Sequence, residues 1–220
     1  DDKHALTKFL RTVNQQNAEE VAIALDLIAI WTPIDVADAL ELLSGHFVHP
    51  EIRKFGVTVL KERASDADLE LYIMQLVQAI RFENDAISSL SDLPRFLLDR
   101  SLQSDSFRLL NFLFWSVVVA AKAEQEDISR RYNYFLTKIE HESELKRNDY
   151  YEELQRQKWM IERLIELSLY VGNVKGRAED KKKVLRAALS DKGKFENLQQ
   201  FERSILMPLR PELRVSGIES

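Results

Sequence analysis

The sequence predicts an all-α fold of stacked antiparallel helix pairs, solenoid-like, with an extended C-terminal linker entering a strand. Three observations carry this expectation. Apolar residues recur at helical rather than alternating spacing in nearly every segment. Only six glycines and five prolines punctuate 220 residues, so long helices meet few breakers. The last residues, "MPLRPELRVSGIES", change character to two prolines followed by alternating Leu213 and Val215, then Gly217. That is the pattern of a linker running into a strand.

Taken in order, the periodicity predicts helices over 18–30, 35–43 and 51–63, separated by "WTP" and "SGHFVHP". In the third, Ile52, Phe55, Gly56, Val59 and Leu60 share one face. Ser65 or Asp66 supplies an N-cap. The helix over 68–83 carries one continuous stripe of Leu69, Tyr72, Ile73, Leu76, Val77 and Ile80. Leu71 and Met74 lie opposite that stripe, beside Gln75 and Gln78. Apolar residues on two faces predict packing on both sides, which makes Leu71 and Met74 candidate interface residues.

Helices are also predicted over 94–102, 107–123, 128–141, 150–171, 180–189 and 195–206. The 107–123 helix, "FRLLNFLFWSVVVAAKA", is the most apolar. Arg108, Asn111 and Ser116 interrupt it, and its runs fall short of the roughly 20 apolar residues of a membrane span. It is expected to be the most buried helix, with Trp115 in the core. The distance from "DVADALELL" to "DLELYIMQLV" is about one helix-pair repeat. Residues 1–206 therefore read as one helical body and 207–220 as a linker.

Composition narrows the function classes. A net charge of −5 argues against a nucleic-acid partner, since such proteins usually carry a basic face. The absence of cysteine excludes a disulfide framework, a thiolate metal site and a cysteine nucleophile. Phosphoryl transfer needs a phosphate-covering loop, a positioned lysine, a catalytic aspartate and Mg²⁺ ligands. The chain has no Gly-x-Gly-x-x-Gly and no Asp-Phe-Gly, so no catalytic, cofactor-binding or metal residue is assigned. His46 and His49, near Glu51, lack two further ligands nearby and read as a polar loop. Glu140, His141 and Glu142 read likewise. Lys175, Arg177, Lys181, Lys182, Lys183 and Arg186 form a basic stretch interrupted by Glu179, Asp180 and Asp191. It reads as a solvated face, with anionic lipid as the sharper alternative. Arg53 and Lys54 flank an apolar face and are candidate interface residues.

Several strings resemble the helical accessory domain of phosphatidylinositol 3-kinases: "ALTKFLR", "WTPIDVADALELLSGHF", "HPEIRKFGVTVL" and "LELYIMQLVQAIRFE". The matching positions are Trp31, Pro33, Leu40, Glu41, Leu42 and Leu43, then Pro50, Arg53 and 57–60. Tyr72, Gln75, Leu76, Val77, Gln78, Ala79 and Glu83 follow. "ALTKFLRTVN", "PIDVADALELLS", the 92–119 segment with Trp115, and the tail "PLRPELRVSGI" are similar to the class III enzymes. From 124 to 197 the match is one of charge and helix pattern. There are departures. The residue after Trp115 is Ser116 rather than Tyr or His, and Gly56 stands where alanine is usual. The family's preceding helix is missing, and only a short loop joins Glu83 to Pro94.

The resemblance implies a non-catalytic scaffold lying between a β-sandwich domain and kinase lobes of its own parent chain. The parent would phosphorylate phosphatidylinositol at the 3-hydroxyl with Mg-ATP, together with a regulatory protein-kinase-like subunit, in endosomal sorting and autophagy. It would be cytoplasmic and peripheral to those membranes, meeting phosphatidylinositol only through the parent. A stand-alone helical-repeat adaptor is the alternative. It would need a polar capping helix, whereas this chain ends on a linker.

Overall fold

The structure, a computed structural model, describes residues 5–31, 34–83 and 89–219. It is all-α with a two-stranded sheet at the C-terminal end. The chain falls into two compact units, 1–142 and 143–220.

The first unit holds α1 (Ala5–Thr12), α2 (Ala18–Ile30), α3 (Val36–Leu42), α4 (Pro50–Arg63) and α5 (Asp66–Ala79). A 3-10 turn (Ile80–Phe82), α6 (Asp92–Gln103), α7 (Phe107–Ala123) and most of α8 (Glu126–Lys146) complete it. Short polar side chains set the helix starts by accepting orphan N–H groups. Asn17 accepts from Glu19, Asp35 from Asp38, and Ser106 from Arg108. At α5, Ser65 accepts from the Asp68 N–H, and the Asp68 carboxylate accepts from the Ser65 N–H at 2.9 Å. That reciprocal pair makes Ser65, not Asp66, the cap. Pro50 opens α4, where its missing N–H costs nothing. Helix α3 packs on α4, α4 on α6, and α7 against both α5 and α6. Leu6, Leu10, Leu42, Phe47, Ile52, Leu60, Phe114, Tyr132 and Phe135 are fully buried among these helices.

Trp115 does not join that core, contrary to expectation: it is only half-buried. The buried row of α7 is Leu109, Leu110, Leu113, Phe114 and Val117. Trp115 lies about 100° around the helix from Phe114, and its ring meets the Phe114 ring edge-on at 5.4 Å.

The second unit holds α9 (Asn148–Gly172), α10 (Ala178–Leu189), a 3-10 turn (Glu196–Leu198) and the strands β1 (Ile205–Met207) and β2 (Arg210–Val215). Its core is Met160, Leu167, Leu189, Phe195, Leu198 and Ile205. The helix expected over 195–206 is absent. Phe195, Leu198, Phe201 and Ile205 keep a helix-like spacing and are buried, but long-range partners take the backbone hydrogen bonds. Phe195 N–H donates to Ala188, Phe201 N–H to Ser216, and Ile218 N–H to Leu198. Gly217 lies so close to the Gln199 carbonyl that no Cβ fits there. The extended tail is itself an antiparallel hairpin, pairing Ile205 with Val215 and Leu206 with Arg214, with a register shift before Met207.

Candidate functional site: a groove between two helices and its polar floor

Part of the family pattern meets in one groove of the first unit. Leu40, Leu43, Tyr72, Gln75, Leu76 and Gln78 line a cleft of about 670 Å³ between α3 and α5. Its walls are mostly apolar, and Phe82 closes one end by lying against Gly45, where a Cβ would come within 2.9 Å of the ring. Tyr72, Gln75 and Gln78 stand one helical turn apart and so share a face of α5. Leu71 and Met74 sit beside them, 70% and 62% exposed. Lys54 is exposed on α4 with Glu51 at 3.9 Å. Trp31 is remote from this cleft's lining; it caps α2 and stacks on Phe9 at 6.3 Å. Pro33 lies outside the described residues.

Arg53 is not on a surface, which corrects its reading as an interface residue: it is 4% exposed. Its Nε and Nη2 both donate to Glu83 Oε1, at 2.9 and 2.5 Å. Nη1 donates to the carbonyls of Leu43 (2.8 Å) and Phe47 (3.2 Å), and Nη2 to that of Ala79 (2.9 Å). The planar, multi-donor guanidinium suits this task in a way lysine would not. It gathers carbonyls left over where α3 and α5 end and neutralises Glu83, itself buried.

Two further side chains complete the job at the end of α5. Arg131 donates to the Ile80 and Glu83 carbonyls. Tyr132 O–H donates to the Val77 carbonyl at 2.8 Å. Burial pushes the Tyr132 phenol up to about 12, with the Glu124 carboxylate adding to it and the nearby arginines opposing. At the other end of α5, Asp66 receives Arg100 at 2.6 Å and Ser104 at 2.7 Å. Burial raises its carboxyl, but these hydrogen bonds and the Arg100 charge outweigh burial, and its pKa is lowered.

The His46–His49 loop is held by Gln15, whose amide donates to the His46 carbonyl and accepts from the Val48 and His49 N–H groups. Among the described residues no three His, Asp or Glu side chains group as metal ligands, and no helix is long and apolar enough to cross a membrane.

The sequence model of the phosphoinositide 3-kinase family accessory domain (PIK domain) matches residues 1–152. The chain belongs to that family. Over 228 residues it is 38% identical to the nodule isoform of phosphatidylinositol 3-kinase of Glycine max, covering 99% of this chain and 27% of that protein. It is 37% identical to phosphatidylinositol 3-kinase VPS34 of Arabidopsis thaliana, covering 99% and 26%. With the type 3 catalytic subunit of Caenorhabditis elegans the identity is 29%, over 97% and 29%. The similarity is to the class III kinases, and this accessory-domain chain spans about a quarter of the length of those relatives.

The sequence pattern marked eight of the groove-lining residues but not the arrangement beneath them. Arg53 and Glu83 stand 30 residues apart, and Arg131 and Tyr132 at least 48 from their carbonyl partners. No local spacing links such positions. The one available signal was Arg53 itself, a charged residue inside an apolar helical stripe.

Proposed function

We propose that this chain is the non-catalytic scaffold of a class III phosphatidylinositol 3-kinase, docking neighbouring domains along the α3–α5 groove. The observation that carries this is the coincidence of two patterns. Of the positions that carry the resemblance to the kinase accessory domains, Leu40, Glu41, Leu43, Tyr72, Gln75, Leu76, Gln78 and Ala79 line one open, largely apolar cleft. Exposed Leu71 and Met74 extend it. Lys54 lies apart on α4 as a second candidate contact. The parent chain would phosphorylate phosphatidylinositol at the 3-hydroxyl with Mg-ATP. Its partners would be its own β-sandwich and kinase domains and a regulatory protein-kinase-like subunit. It would act in endosomal sorting and autophagy, cytoplasmic and peripheral to those membranes.

The second unit is read as the approach to the kinase lobes. The family match ends at residue 152, while similarity to whole kinases continues through 99% of the chain.

The test uses the parent kinase and the chain side by side. Leu71→Asp with Met74→Asp in the parent should weaken binding of the regulatory subunit or loosen the domains to proteolysis. The isolated chain should show no lipid phosphorylation and no rise in melting temperature with Mg-ATP, since a bound ligand must raise apparent stability. A saturable nucleotide-dependent shift of the chain, or wild-type assembly of the double variant, overturns the scaffold reading.

A further inference from the structure

The second unit concentrates positive charge that the chain as a whole lacks. From residue 172 to 194 there are eight Lys or Arg (Lys175, Arg177, Lys181, Lys182, Lys183, Arg186, Lys192, Lys194) against Glu179, Asp180 and Asp191, a net of +5 within a chain of net −5. The structure sorts these cations. Lys182 pairs with Glu179 at 2.9 Å, and Lys181 donates to the Gly172 carbonyl at the end of α9. Asp180 is occupied by the Arg177 N–H. Lys175, Lys183, Arg186 and Lys192 are exposed and have no acidic partner among the described residues. On α10, Ala188 and Leu189 are buried while Lys182, Lys183 and Arg186 point outward, so two unpaired cations share the solvent face.

Beside these cations the unit exposes apolar surface. Leu169 is 62% and Tyr170 42% exposed in the last turns of α9. The Lys194 ammonium lies 5.0 Å from the Tyr170 ring centre, so cation and aromatic surface meet directly. A tyrosine half in and half out of protein, with the Lys194 ammonium over its ring, matches the chemistry of a membrane interface. There an aromatic ring sits at headgroup level and lysines meet phosphates. An acidic protein segment would satisfy the cations equally, but would leave no use for exposed Leu169.

We propose that the α9 C-terminal turn, α10 and the Lys192–Lys194 loop form a contact face for an anionic membrane surface, orienting the parent kinase on its substrate bilayer. This rests on the reading that the parent is a lipid kinase. Each Lys or Arg near an anionic bilayer strengthens attachment by roughly fivefold, and the attraction fades within a Debye length. Binding should therefore be moderate and salt-sensitive.

The experiment is co-sedimentation of the full 220-residue chain with phosphatidylcholine vesicles, with and without phosphatidylserine. The chain should pellet only with phosphatidylserine vesicles and be released by high salt. Lys183→Glu with Arg186→Glu should reduce the bound fraction at least tenfold. Leu169→Ser with Tyr170→Ser should reduce it severalfold. Lys61→Glu, at an exposed position of α4 in the first unit, should leave it unchanged. All these positions are exposed, and melting curves check that each variant folds. Equal pelleting with neutral vesicles, or undiminished binding by Lys183→Glu with Arg186→Glu, overturns the proposal. So does capture on a poly-glutamate matrix without vesicle binding, which would indicate an acidic polypeptide instead. The parent separates this idea from the kinase reading. Lys183→Glu with Arg186→Glu should lower turnover of vesicle phosphatidylinositol but spare a soluble short-chain analogue. A parent inactive on both substrates fails the kinase reading, while vesicle binding by the chain stands or falls by itself.

Discussion

The two units each bury charged or polar side chains to serve unpaired backbone, but they use different chemistry. At the helix C-termini of the first unit the groups in need are carbonyls, which side-chain donors answer, whereas Gln15 serves the His46–His49 loop with both a donor and an acceptor. Arg53 reaches Leu43, Phe47 and Ala79, Arg131 reaches Ile80 and Glu83, and Tyr132 reaches Val77. In the second unit the need is an unpaired strand segment, which offers both an N–H and a carbonyl. Glu153 on α9 accepts from the Leu206 N–H at 2.7 Å, and Gln157 one turn later donates to the Leu206 carbonyl at 2.9 Å. The pair does for Leu206 what a neighbouring strand would do. Side-chain donors mark these helix C-termini, and an acceptor–donor pair at i, i+4 marks a strand edge.

The largest effect expected from breaking this comparison is at Arg53. Arg53→Met leaves the Glu83 carboxylate buried beside carbonyl oxygens, and losing one partner of a buried ion pair costs about 3–5 kcal/mol. Replacing both, as Arg53→Met with Glu83→Leu, removes the stranded charge and should cost clearly less than the single change. Urea unfolding of the single and double variants measures the difference. A double variant as unstable as Arg53→Met would show that the helix-end carbonyls, not the ion pair, dominate.

Tyr132 provides the next largest effect through pH. Its folded pKa, pushed up to about 12, exceeds the ordinary value near 10. The stability linked to the neutral phenol is therefore complete below pH ~10 and is lost as pH rises toward ~12, with an upper bound of about 3 kcal/mol. Tyr132→Phe forfeits the hydrogen bond to Val77, worth about 1 kcal/mol, but should flatten the alkaline slope. An unaltered slope in Tyr132→Phe would assign it to other groups.

Much of the first unit was legible because its helices obey local rules. The 18–30 and 107–123 helices lie where periodicity placed them, and Ser65 capping was readable from its three-residue spacing to Asp68. What escaped was non-local. Arg53 looked like a surface cation because its helix neighbours gave no hint of Glu83 or of three waiting carbonyls. Over 195–206 the apolar spacing mimicked a helix, while the deciding bonds came from outside the segment, from Ala188 just before it and from the more distant Ser216 and Glu153. Trp115 was misplaced because it stands in the most apolar helix: an aromatic in such a helix need not lie on its buried row.

The Leu206 clamp should be weaker than the Arg53 assembly, because a hairpin at the unit's edge can relax. Gln157→Leu strands one carbonyl and should cost about 1–3 kcal/mol. Its signature is local. Amide exchange should accelerate across β1 and β2 while the protection of α4 and α5 stays as it was. Uniform acceleration through both units would mean that the clamp supports far more than the hairpin.

The smallest effect tests how tightly Arg53 fixes its surroundings. The family resemblance implies alanine where this chain has Gly56, and a helix-interior glycine costs about 0.8–1 kcal/mol relative to alanine. On that ground alone Gly56→Ala should stabilise. The structure opposes it, because a Cβ on Gly56 would lie 3.1 Å from the Ala39 carbonyl oxygen and 3.3 Å from Leu42 Cβ. Overpacking of this kind costs about 1–3 kcal/mol unless the neighbour moves. Helix α3 has little freedom to move, since Arg53 holds the Leu43 carbonyl at its end, on the same α4 that carries Gly56. Gly56→Ala should therefore lower stability, by about 0–2 kcal/mol once the propensity gain is subtracted. The same change made in Arg53→Met should cost less or become favourable, because α3 is then free to shift by a few tenths of an ångström. A higher urea midpoint for Gly56→Ala in the otherwise unaltered chain would show that α3 yields despite Arg53. Equal effects in both backgrounds would show that Arg53 balances charge without fixing the helix.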